Sequence, residues 1–164
     1  MENEKMHYIV ATGIVVKDGK YLITKRAPHE KAFPNKWTVP GGKLEASEYL
    51  QRPKDTQDLW YNIIENLVER EIREEVGLEI ENLNYLTSLS YIRPDGKPSV
   101  IISMFADWKQ GEVKLCDALT EHAWVSLKEA KKYELIDGIF DELRMLDEFL
   151  KQGKQHAGKW KRTS

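Results

Sequence analysis

The 164-residue chain has one cysteine, Cys116, which leaves it neither an intramolecular disulfide nor a cysteine-rich zinc site. A lone thiol in this setting reads as buried and inert. The opening Met-Glu-Asn-Glu-Lys-Met lacks the basic and apolar regions of a secretory leader. No apolar run approaches the roughly 18 residues that span a bilayer, so a cytoplasmic protein without a membrane partner is expected. Charge of one sign is also lacking: 25 Lys and Arg against 27 Asp and Glu leave −2, which argues against a nucleic-acid coat. The four histidines, His7, His29, His122 and His156, have no partner at metal-binding helical spacing and read as structural or surface residues.

What is present suffices for one folded domain, since 41% of residues are hydrophobic and 32% charged. The domain is expected over residues 1–150, followed by a basic, flexible tail, 151–164. That tail carries Lys151, Lys154, Lys159, Lys161 and Arg162 with no acid, while the body holds 20 basic against 27 acidic residues, a net −7. A body of that sign suits a catalytic centre built from carboxylates.

Two apolar runs, His7 to Val16 and Tyr21 to Thr24, flank Lys17-Asp18-Gly19-Lys20, a tight hairpin turn. After a polar loop from Pro28 to Asn35, a short extended segment from Lys36 to Val39 runs into Pro40-Gly41-Gly42, read as a sharp bend. Residues 49–56 look irregular around Pro53, and Asp55 with Asp58 are candidate caps for a long helix bearing the row Trp60, Ile64, Val68, Ile72 and Val76. Gly77 stops it. A second hairpin is expected from Asn84 to Trp108 around Pro94-Asp95-Gly96-Lys97. A short strand follows near Ala123 to Ser126, then an amphipathic helix from Asp137 to Leu150.

The chemistry gathers on the last turns of the long helix, Arg70-Glu71-Ile72-Arg73-Glu74-Glu75-Val76-Gly77-Leu78. At about 100° per residue, Glu71, Glu74 and Glu75 share an arc of about 100° beside the apolar row. Like charges so placed call for cations, and oxygen-only donors suit Mg²⁺ or Mn²⁺. A solvated acidic face with Arg70 paired to Glu74 is the plainer alternative.

Together with Trp37-Thr38-Val39-Pro40-Gly41-Gly42-Lys43-Leu44-Glu45, this stretch resembles the signature of the Nudix hydrolases, Gly-x5-Glu-x7-Arg-Glu-U-x-Glu-Glu-x-Gly-U with U aliphatic. Gly42 and Glu48 match its first half; Arg70, Glu71, Ile72, Glu74, Glu75, Gly77 and Leu78 match its second. One departure is plain. Twenty-one residues separate Glu48 from Arg70 where the pattern has seven, an insertion of 14.

The resemblance implies an α+β fold, the Nudix α/β/α sandwich, with a mixed sheet between helices and a long signature helix. It implies metal-dependent hydrolysis of a nucleoside diphosphate linked to another moiety (a nucleoside triphosphate, ADP-ribose or nucleotide sugar) by water attack on phosphorus. Glu71, Glu74 and Glu75 would be metal ligands with the carbonyl of Gly42. Glu71 would double as base, and Arg70 would orient the glutamates. Arg26 and Lys43 are candidate phosphate contacts. Glu121, with Asp117 behind it, is the candidate further acid from a later loop. Homodimers are common in the family, and a nucleotide is the expected partner rather than a nucleic acid. Trp37 and Tyr91 read as packing residues, with base stacking as the alternative. Pro94, 16 residues after Leu78, lies near the marker proline of ADP-ribose-hydrolysing relatives, although its turn explains it without a substrate. The competing class is a Nudix-like module that senses a nucleotide without cleaving it; RNA guided by the tail and Trp160 is a further alternative.

Overall fold

Residues 2–153 are described by a computed structural model of the chain. The tail positions Lys154, His156, Lys159, Trp160, Lys161 and Arg162 lie outside them. A short 3₁₀ turn, Glu2–Lys5, leads into strand β1, Tyr8–Lys17, and the tight turn at Asp18 and Gly19 (φ 50° and 72°) reverses the chain into β2, Lys20–Arg26. Two left-handed residues are what a two-residue hairpin requires. Then come β3 (Trp37–Thr38), β4 (Gly41–Lys43), α1 (Ser47–Leu50), α2 (Ile63–Val76), β5 (Glu79–Ile92), β6 (Pro98–Gln110), β7 (Leu119–Val125), α3 (Leu127–Ala130) and α4 (Ile139–Gln152).

One mixed sheet organises the molecule, in the order β3-β2-β1-β6-β5, with β4 added to β1 and β7 to β2. β1 and β6 run parallel from Tyr8↔Ser99 to Val16↔Asp107; the other pairings are antiparallel. β1 pairs with β2 only beside the hairpin turn, and towards its start that edge takes β4 instead (Val10↔Lys43, Thr12↔Gly41). The strands diverge, and the segment from Trp37 to Lys43 wedges between them.

Alternation along the strands serves both faces. Ile14, Ile23 and Phe105 point to one side and pack with Leu143 and Leu146 of α4, whereas Ala11, Val15 and Leu22 point to the other and pack with Leu67, Val68, Ile72 and Val76 of α2. Helices on both faces of a mixed sheet make the expected α+β sandwich. Among the described residues no helix is long and apolar enough to cross a membrane.

Two local expectations are corrected. α2 begins at Ile63 behind a left-handed Asn62, so Trp60 stands outside it and neither Asp55 nor Asp58 caps it. Instead the Asp55 carboxylate accepts from the Tyr61 amide (2.8 Å) and from Arg52 (3.2 Å), while the Trp60 indole donates to the Arg52 carbonyl (3.1 Å) and stacks near Tyr49. The insertion is a self-stapled loop that adds no turn to α2. Second, the bend expected over Pro40-Gly41-Gly42 falls at Pro40 alone, and Gly41 and Gly42 beyond it are already extended in β4, in register with Thr12 and Ala11 of β1.

Candidate active site

The C-terminal half of α2 lies behind β4, and Gly42 marks the closest approach. A Cβ there would stand 2.5 Å from Cδ of Glu71 and closer still to its Oε1, so the glutamate is seated directly on glycine backbone. One turn on, Oε2 of Glu75 accepts from the Gly41 amide at 3.4 Å. Gly77, with φ 69°, ends the helix just past these residues, and the Cys116 amide donates to the Glu75 carbonyl at 3.0 Å.

Arg70 joins the two halves of the split motif. Its guanidinium donates to Glu48 (2.9 Å), Glu71 (2.9 Å) and Glu74 (2.8 Å). The insertion has therefore not separated Glu48 from the helix, since a longer surface loop costs little closure entropy. The glutamates share an arc but not an environment: the Glu71 side chain is 15% exposed and that of Glu74 59%. Burial pushes the Glu71 carboxyl above the usual carboxylate range against the pull of Arg70, with Glu74 adding to the rise. Burial, followed by the charge of Glu71, pushes Glu75 up to about 7, with the Gly41 amide and Arg26 pulling the other way.

Such a donor set fits a hard divalent cation. It offers carboxylate oxygens only, two of them half-buried and mutually repelling, against a backbone cradle that any side chain at Gly42 would fill. Among the described residues no three His, Cys, Asp or Glu side chains already stand together as a cage. Arg70 supplies the positive charge to Glu71 and Glu74 in this structure, and a cation would compete with it for both.

Glu75 also lines a cavity of about 800 Å³ on the α4 face of the sheet, where β1 and β2 diverge. Its walls include Thr12, Arg26, Glu30, Phe33, Lys43, Tyr91 and Arg93. Lys43 thus stands where a phosphate contact was expected. Arg26 lines the cavity too, but its guanidinium is engaged by the Ala32 carbonyl (2.6 Å) and Glu30 (3.0 Å), which ties down the loop after β2. Glu121 is placed elsewhere. It lies opposite Lys25 in the β2–β7 register, pairs with it at 2.8 Å, and does not line the cavity. Asp117 is exposed in the loop held to α2 by Cys116. Trp37 is core, 8% exposed against Tyr133. Sequence reasoning missed Glu30, Phe33 and Arg93: all three sit in ordinary-looking loops, the first two after β2 and Arg93 after β5, and only the folding of those loops brings them to the cavity beside Val10 and Thr12 of β1.

A family model described as "NUDIX domain" matches residues 63–148. The chain belongs to the Nudix family and is a Nudix hydrolase by fold and signature. Among curated relatives, "Nucleoside triphosphatase NudI" of Klebsiella pneumoniae is 26% identical over 133 residues, covering 74% of this chain and 84% of that protein. Its counterpart in Escherichia coli K12 is 28% identical over 132 residues, with the same coverage of 74% and 84%. A solved MutT Nudix hydrolase from Burkholderia pseudomallei superposes with a TM-score of 0.68 at 23% identity, over 85% of this chain and 98% of that one. The Nudix domain of Shewanella oneidensis NrtR, solved with ADP ribose, superposes with a TM-score of 0.61 at 18% identity, covering 92% and 90%. These two structures carry the fold alone.

Proposed function

We propose that the chain hydrolyses a nucleoside diphosphate linked to a further moiety, with a nucleoside triphosphate as first candidate, using Mg²⁺ or Mn²⁺. The observation that carries this reading is the seating of Glu71 and Glu75 on the Gly41–Gly42 backbone, at the edge of a cavity large enough for a nucleotide. The naming of the curated relatives as nucleoside triphosphatases favours that substrate among the three classes.

In this reading Glu71, Glu74 and Glu75 hold the cation together with the carbonyl of Gly42. The cation, when bound, screens the phosphate oxygens and makes water a better nucleophile at neutral pH. Lys43 neutralises a phosphate oxygen from the cavity wall. Glu71 accepts a proton from the attacking water, whose oxygen joins phosphorus as the anhydride P–O bond breaks and the leaving phosphate departs with the electron pair. Arg70 keeps Glu48 and orients the glutamates, acting through them rather than on substrate. Arg26 positions the loop after β2.

The test is release of nucleoside monophosphate from nucleoside triphosphates, ADP-ribose and nucleotide sugars, with Mg²⁺ or with EDTA, comparing wild type with Glu75→Gln. Cleavage is expected only with metal and to fall at least about a hundredfold in the variant, as for loss of a group that stabilises transition-state charge. Equal turnover by the variant, or turnover in EDTA, would overturn the assignment. Nucleotide binding without turnover of any compound would make the domain a sensor.

A further inference from the structure

The cavity holds a pair of aromatic side chains that neither the core nor the phosphate chemistry explains. Phe33, in the loop after β2, and Tyr91, near the end of β5, have ring centroids 6.0 Å apart and planes tilted by 50°. Both line the cavity that contains Glu75, and they are 40% and 38% exposed. Aromatic rings of this size are normally buried, and leaving two side by side in a concave wall forgoes that burial.

The backbone at Phe33 gives a second, independent indication. Its φ is +50°, a left-handed conformation that is strained for a bulky residue, and it precedes Pro34, which further disfavours helical geometry at that position. The surroundings enforce this conformation. The Asn35 amide donates to the Arg26 carbonyl (3.1 Å), the Arg26 amide to the Lys36 carbonyl (2.9 Å), and the Arg26 guanidinium to the Ala32 carbonyl (2.6 Å). A strained residue held by so many bonds, with its ring turned into a cavity, is characteristic of ligand clamps.

We propose that Phe33 and Tyr91 form the platform that takes the nucleobase of the substrate, a flat aromatic heterocycle. The proposal rests on the nucleotide reading above and adds to it the base subsite. With the rings 6.0 Å apart and tilted, a base does not slide between them; it stacks on one face while the other ring closes its edge. Stacking of this kind tolerates different bases, because every base has a π face. Trp37, the other ring the sequence offered, is packed against Tyr133 and takes no part.

The test uses the full chain in EDTA, with 2-aminopurine ribonucleoside 5′-monophosphate as the probe, whose fluorescence is quenched by stacking. Quenching by wild type is expected, with affinity about tenfold to a hundredfold weaker in Phe33→Gly and in Tyr91→Ala, the range for lost base–aromatic stacking. Phe33→Gly removes ring and strain together, so an unchanged far-ultraviolet circular dichroism spectrum shows that the fold survives. In parallel, kcat/KM is compared for a nucleoside triphosphate and for methyl triphosphate, which has no base. The variants should lower the first and spare the second. Quenching that the variants leave intact, or equal losses on both triphosphates, would overturn the platform even where Glu75-dependent hydrolysis stands. Quenching lost in the variants without hydrolysis of any nucleotide would uphold the platform while the hydrolytic reading fell.

Discussion

Replacing Glu142 with glutamine should stabilise the protein above neutral pH and leave it unchanged in acid. Glu142 lies on α4 beneath the sheet, 5% exposed, and its Oε1 has no hydrogen-bond partner among the described residues. Burial pushes its carboxyl up to about 7 from an ordinary 4.5, with the nearby Ser103 hydroxyl opposing the rise and Asp141 adding to it. Between those pH values the folded chain keeps a proton that the unfolded chain has lost. Stability therefore declines as pH rises from 4.5 to about 7 and stays reduced beyond it. At about 1.4 kcal/mol for each pH unit, the gap amounts to about 3 kcal/mol. Glutamine keeps the shape and does not titrate. The variant should match wild type at pH 4 and exceed it by about 3 kcal/mol at pH 8, a Tm rise of about 6–12 °C for a chain of this size. Urea denaturation of both proteins at pH 4, 6 and 8 measures this. The difference between the two curves isolates Glu142 from Glu75, whose carboxyl is also pushed up to about 7. A stability difference that does not change with pH would refute the reasoning.

Gly42→Ala should displace Glu71 and lower kcat/KM about a hundredfold, the usual cost of an ångström-scale misplacement at a reacting centre; activity equal to wild type would show that the close approach is not needed. Arg70→Gln leaves Glu48, Glu71 and Glu74 without their shared cation. These pairs are partly solvent-exposed, so about 1 kcal/mol of stability should be lost in EDTA and regained with Mg²⁺; a Tm deficit identical in both buffers would count against competition between Arg70 and a metal. Glu121→Gln breaks only the pair with Lys25, and steady-state kinetics should stay within about twofold of wild type. A loss of a hundredfold would return Glu121 to the catalytic machinery.

The expected elements around the turns at Asp18-Gly19 and Asp95-Gly96, the stop at Gly77, and the helical faces of α2 and α4 were legible from residue order, because each rests on local dihedral preference or on the spacing of apolar residues. So was the cluster of glutamates, since three positions on one helix share a direction whatever the helix packs against. The start of α2 was not legible, because the periodic row extends by chance to Trp60 while the contacts of Arg52 and Asp55 hold those residues in a loop. Nor was the use of Gly41 and Gly42, whose lack of a side chain is compatible with a bend or with a close strand and is resolved only by β1 and Glu71 on either side.

Residue order alone carried the mixture of strands and helices and the acidic face of α2, which rest on local geometry repeated along the chain, while the sandwich was implied by the resemblance of the signature. Tertiary structure decided which carboxylates are buried, that Arg70 spans the insertion to Glu48, that Arg26 straps a loop, that Glu121 is occupied by Lys25, and that Phe33 meets Tyr91. Those outcomes depend on partners far apart in the chain, and on the divergence of β1 from β2 that opens the cavity between them.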